Sequence, residues 1–140
     1  VLRPLDLIHS YRLEMGTKLN IDENDNLYSF WDNKINNMLI KDIKESDSDI
    51  LVNLASNEYS KSAKLKYMDK IKVITPVFKE LKNGKYKIVT VHAKRARGLM
   101  ATYIIKNRIN TTDDLKKFSE EGYKFREDLS NNQEFVFILE

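Results

Sequence analysis

The residues most able to do chemistry in this 140-residue chain form the run His92-Ala93-Lys94-Arg95-Ala96-Arg97-Gly98. It follows the apolar stretch Tyr86 to Val91, which reads as a strand, and opens a helix from about Ala93 to Asn107. Three cations then fall in the first turn and a half, where the helix dipole is already positive. Cations there cost a few tenths of a kcal/mol each unless an anion is present. With an anion, free backbone N–H groups, dipole and side chains all favour the same charge. Gly98 removes a side chain, either for close helix packing or for close approach of a ligand. The alternative is that Glu or Asp from elsewhere in the chain pairs with these cations.

A second group is Leu54-Ala55-Ser56-Asn57-Glu58-Tyr59-Ser60-Lys61, past the carboxyl end of the apolar run Ile50 to Leu54. Open α/β sheets place ligand crevices at such ends. Ser56 or Asn57 is expected to cap a helix running to about Met68. Glu58, Tyr59 and Lys61 are candidate acid, base or binding groups, and Glu58 is also a candidate partner for Arg95 or Arg97. A third group is Tyr11-Arg12-Leu13-Glu14-Met15-Gly16-Thr17-Lys18, where Arg12, Glu14 and Lys18 share one face of a strand; a solvated face explains that equally well. A single cleft holding the second group and the basic run requires the strands before Ser56 and before Ala93 to run parallel.

Composition limits the chemistry further. With no cysteine, the chain holds no thiolate nucleophile, disulfide, Cys-ligated zinc or iron–sulfur cluster. His9 and His92 are the only histidines, so neither a metal site nor a cofactor is expected, although carboxylates such as Glu14 and Glu58 could add hard oxygen ligands. No Walker loop, dinucleotide fingerprint or Ser-His-Asp order occurs. The net charge of +3 conceals segregation. From Leu81 to Thr112 there are eight cations (Lys82, Lys85, Lys87, Lys94, Arg95, Arg97, Lys106, Arg108) and no acid, whereas the remaining residues sum to −5. Such a segment is either a solvated face or a surface for an anion.

The elements that must position these groups follow from periodicity. Leu5 to Ile8 is a short apolar piece, and Tyr11 to Leu19 alternates as a strand kinked at Gly16. Residues 27–43 carry apolar residues at helical spacing, and their aromatic stripe is expected in the core. Ile50 to Leu54 reads as a buried strand, and Ile71 to Leu81 as a strand bent by Pro76. Asn83-Gly84 marks a two-residue hairpin. On the helix from Ala93, the residues Ala96, Leu99, Met100 and Tyr103 form the buried side. Thr112 opens a short helix ended by Gly122, and Tyr123 to Phe125 with Glu134 to Leu139 forms a terminal hairpin. The fold class is α/β to α+β: a mixed β-sheet with flanking helices and a β-hairpin. With 41% apolar residues, one domain's core can be buried, and no apolar run approaches the ~20 residues of a membrane span.

These segments resemble the YaaA family of bacterial peroxide stress response proteins. The resemblance rests on Val1-Leu2-Arg3-Pro4-Leu5-Asp6-Leu7, Tyr11 to Gly16, Asn53 to Tyr59 with Lys61-Ser62, Thr75 to Phe78, Asn83-Gly84-Lys85 and Ala93 to Met100, in order along nearly the whole chain. It implies a cytoplasmic protein that limits oxidative damage and free iron, with DNA binding attributed to the family and no established reaction. It also implies that residues 1–140 are the carboxy-terminal part of a longer domain, the amino-terminal part with a Ser-Pro-Ala-Lys motif being absent. The residues expected to line a shared basic cleft are Arg12, Lys18, Ser56, Glu58, Tyr59, Lys61, Lys94, Arg95, Arg97 and Gly98. The expected partner is the DNA phosphate backbone or, alternatively, a small anionic ligand such as a phosphate-bearing substrate.

Overall fold

The computed structural model describes residues 27–46, 48–63 and 70–140, the side chains at 27, 32, 58, 61 and 62 excepted. The short apolar piece before His9, the strand expected at Tyr11 to Leu19, and with them Arg12, Glu14 and Lys18, lie outside the described residues. The chain divides into two compact units, one of residues 1–49 with 57–70, the other of 50–56 with 71–140.

In the first unit, helix α1 (Leu27–Glu45) packs on the short helix α2 (Asn57–Ser62). Ile43 and Ala63 are buried. The expected aromatic core is realised only in part. Phe30 is half-buried and meets Trp31 edge to face at 5.2 Å, but Trp31 and Met38 stand exposed. Lys34 instead lays its ammonium 3.5 Å from the centre of the Phe30 ring, a cation–π contact.

The second unit is built on one long strand. β1 (Ile50–Val52), β2 (Lys72–Lys82), β3 (Lys85–Lys87), β4 (Tyr123–Phe125) and β5 (Glu134–Leu139) form a mixed sheet in the order β1-β2-β5-β4, with β3 also on β2. β2 pairs parallel with β1 and β5 and antiparallel with β3. β4 and β5 pair antiparallel, as the expected terminal hairpin does. Along β2 the residues Ile74, Pro76, Phe78 and Glu80 are buried at period two, so one face of this strand is the core face. β2 runs through Pro76 without a break. The Thr75 N–H donates to Gln133 O on the β5 side and Ile74 O accepts from Asn53 on the β1 side. Pro76 therefore turns its ring nitrogen toward the edge where β1 has ended and β3 has not begun, and no ladder bond is lost.

Asn83 and Gly84 both have positive φ, 52° and 72°, as a type I′ hairpin turn demands. Past that turn the structure departs from the sequence reading. β3 stops at Lys87, and helix α3 spans Thr90–Lys106, beginning three residues earlier than the β-branched run Val89-Thr90-Val91 suggests. Tertiary packing decides: Ala93, Ala96 and Met100 are buried against Ile74 and Phe78, with Leu99 and Tyr103 beside them. Leaving the sheet at Ile88 lets the small residues of α3 lie on the core face of β2. The next helix, α4 (Thr112–Lys116), is capped by Thr111, whose hydroxyl accepts from Asp114 N–H at 3.1 Å. Lys117 caps its other end; Gly122, at φ 87°, closes a separate 3-10 turn (Glu120–Gly122) instead. Phe118 lies in the core, edge-on to Phe78, Tyr103 and Phe137. The expected strand Ile50 to Leu54 is shorter than the sequence suggested and half-buried.

Candidate functional site

The basic run sits on α3, but not at its amino terminus. Thr90, Val91 and His92 form the first turn, so Lys94, Arg95 and Arg97 fall in the second turn and beyond. The orphan N–H groups of a helix belong to its first four residues. The expected convergence of those groups with the three cations on one anion is therefore corrected: the cations act one turn further in. Neither an acid nor a side-chain cap occupies the first turn.

The three cations differ in their surroundings. Arg95 is paired with Glu121, its Nε–H donating to Oε1 at 3.0 Å and Nη2–H to the same oxygen. That hydrogen bond, and then the charge behind it, raises the Arg95 guanidinium above its ordinary value. Among the described residues the neutralising acid of Arg95 is thus Glu121. Glu121 holds φ at 51°, a left-handed conformation that a side chain adopts at some cost. Lys94 and Arg97 face no acid among the described residues, nor do Lys85, Lys87, Lys106 and Arg108. Lys82 lies 3.8 Å from Glu80. Six of the eight cations are thus left without an ionic partner among the described residues.

Gly98 lies inside α3, and a Cβ built on it meets nothing within 4 Å. Close packing among the described residues is therefore not what requires a glycine there.

The sheet bears on the expected cleft. The strands before Ser56 and before α3 do not run parallel: β1 is parallel to β2 and β3 is antiparallel to it. Yet both lie on the edge of β2 opposite β5, since Glu80 pairs with Lys87 on one side and Leu139 on the other. β1 ends opposite Ile74 and β3 ends opposite Glu80, so the two strands point at each other. The segments Asn53–Ser56 and Ile88–Val89 leave the sheet at the two borders of one gap. That gap is about 20 Å long at ~3.3 Å per residue. Asn53 is fixed there, its side-chain amide donating to Thr75 Oγ1 at 3.2 Å and its Oδ1 accepting from Ala55 N–H. Of the two cap candidates, Ser56 precedes the first residue of α2 and Asn57 is that first residue. Glu58, Tyr59 and Lys61 stand on α2 in the first unit, with Tyr59 exposed.

Two acids escaped the sequence reading. Glu80 is the one buried charged residue among those described, 8% exposed, and His92 Nδ1–H donates to its Oε1 at 2.5 Å. The period-two burial of Ile74, Pro76 and Phe78 puts position 80 inside, which was a usable signal. Glu121 had none, because its role depends on a backbone conformation. Burial first, and then the charges of Glu80 and Glu121, push the Tyr123 phenol up. A histidine whose Nδ1 is held by a buried carboxylate presents Nε2 outward for proton transfer. Among the described residues no three His, Asp and Glu side chains gather as a metal ion would need. No described helix is long and apolar enough to cross a membrane.

The family described as peroxide stress protein YaaA matches residues 1–129 of this sequence. The chain belongs to the YaaA family. This YaaA-family chain is 55% identical over 142 residues to a UPF0246 protein of Clostridium botulinum, covering 100% of itself and 55% of that protein. A UPF0246 protein of Alteromonas mediterranea is 50% identical over 138 residues, 99% of this chain and 53% of its own length. One from Saccharophagus degradans is 52% identical over 136 residues, 97% and 53%. The chain thus spans about half the length of the curated relatives it matches.

Proposed function

We propose that this protein serves the peroxide response in the cytoplasm by limiting oxidative damage and free iron, through DNA binding without sequence preference. The observation that supports this reading is the charge distribution from β3 through α3 to Arg108: six cations without an ionic partner among the described residues. Phosphate contacts from Lys and Arg supply affinity without reading bases. Arg95, already neutralised by Glu121, contributes less than Lys94 and Arg97.

The test is fluorescence anisotropy of a labelled duplex across a salt series. The logarithm of the association constant should fall by about 0.9 per phosphate contact per log unit of salt. Replacing Lys94 and Arg97 with Ala should flatten that slope by about 1.8, and adding Arg95→Ala should change it little more. Binding that is unchanged in the triple variant overturns the reading.

A second reading is favoured by the Glu80–His92 pair: an enzyme acting on a phosphate-bearing or other small anion. Lys94 and Arg97 would hold the anion, and His92 would move the proton. It requires a saturable rise in melting temperature with a small phosphorylated ligand, and activity lost in His92→Asn with the fold intact.

A further inference from the structure

The outer face of α3, opposite the core, carries an apolar line that the function above does not use. Val91 is 75% exposed and Ile105 77% exposed, with Gly98 midway between them. These three stand at i, i+7 and i+14, just short of two helical turns apart, so they stack in one row. Single exposed apolar residues are ordinary on a protein surface. An aligned row with a glycine at its centre is the pattern of a helix that receives another element closely, because the missing side chain lets the partner backbone approach. Nothing described in this chain uses that space. Lys94 and Arg97 lie to one side of the row, Arg95 and Lys106 to the other.

We propose that this row seats the part of the family domain that the chain does not span, a polypeptide segment with its own apolar face. The relatives supply the argument for that occupant: the matches take in 100% and 99% of this chain but only 55% of the Clostridium botulinum protein and 53% of the Alteromonas mediterranea protein. A little under half of the relatives' length remains to be packed somewhere, and it must bury apolar surface of its own. Nucleic acid suits the row poorly, since Val91 and Ile105 offer nothing to a phosphate. The basic flanks then border the joint without being covered by it. This proposal does not rest on the DNA reading.

The absence of cysteine makes the test clean, since Val91→Cys and Ile105→Cys each introduce the chain's one thiol. The 140-residue chain is co-expressed with the unmatched part of the Clostridium botulinum protein as a separate polypeptide. Maleimide modification is followed by mass, with Asn132→Cys, on an exposed turn, as control. In the chain alone, all three thiols should react at similar rates. In the co-purified complex, those at 91 and 105 should slow by more than about ten-fold, as sites that react only on opening do, while the control is unchanged. Gly98→Leu should prevent co-purification and leave the helical signal of the chain alone intact. Failure of the unmatched part to co-purify, or undiminished rates in the complex, overturns the proposal. So does slow reaction in the chain alone, which would mean that the row is already covered, by a second copy if dilution restores the rate.

Discussion

Replacing Gly98 with Ala should make this chain more stable. Gly98 is the ninth residue of the 17-residue helix α3, well inside both ends. A glycine at such a position costs about 0.8–1.0 kcal/mol relative to alanine, because more backbone freedom is lost on folding. The usual objection to Gly→Ala is a clash, and here a Cβ finds no described atom within 4 Å. Open space also means that the added methyl gains no packing, so the propensity difference is the whole effect. About 0.8 kcal/mol corresponds to a rise in Tm of roughly 3 °C for a chain of this size. Urea unfolding followed by far-UV circular dichroism should show a higher midpoint at an unchanged slope. Ala101→Gly, three residues on in the same helix, should shift the midpoint the other way by a similar amount. A Gly98→Ala variant less stable than the parent would refute the reasoning, since it would show that the space beside Gly98 is occupied within the chain itself.

Two further perturbations probe the second unit. Phe118→Ala should cost about 3–5 kcal/mol, because Phe118 is 1% exposed and meets the rings of Phe78, Tyr103 and Phe137 edge-on at 5.9, 5.5 and 5.6 Å; a loss below about 1 kcal/mol in urea unfolding would contradict that packing. Asp114 is held below its ordinary value by the Lys117 hydrogen bond first and the Thr111 hydroxyl second. A depressed carboxyl contributes stability that is complete above its unfolded value, near 3.8, and disappears as pH falls through the folded value. Asp114→Asn should therefore lower the melting temperature at neutral pH and lose that effect in strong acid, whereas an equal loss at both ends would assign Asp114 another role.

Where local chemistry sets the backbone, the fold was legible. Asn83-Gly84 dictated a type I′ turn, and the turn is there with both residues at positive φ. The 3.6 period of α3 identified Ala96 and Met100 as buried, and both are. The misreadings occur where distant packing overrides local preference. Val89-Thr90-Val91 has the composition of a strand, but the edge of β2 holds only three residues of β3, and Ala93 must reach the core face. Gly122 was read as the end of a helix because glycine so often is. Its φ of 87° serves a 3-10 turn beside Glu121.

The candidate site shows the same division. Charge segregation over residues 81–112 is a property of the sequence, and it survives folding because only Lys82 and Arg95 find acids among the described residues. Which cations are neutralised was not legible, since the partner of Arg95 lies 26 residues away in a left-handed conformation. That pairing has a consequence for any anion. Lys94 and Arg97 are three residues apart on one flank of α3, about 4.5 Å along the axis and well inside a Debye length of ~8 Å at physiological salt. Their mutual repulsion is unrelieved from within the described structure, so an anion bridging them gains twice. On the other flank Arg95 already has its carboxylate, and a phosphate there would have to displace Glu121 or accept its repulsion. The two flanks of one helix are therefore unequal in what they offer, and affinity for phosphate should follow Lys94 and Arg97.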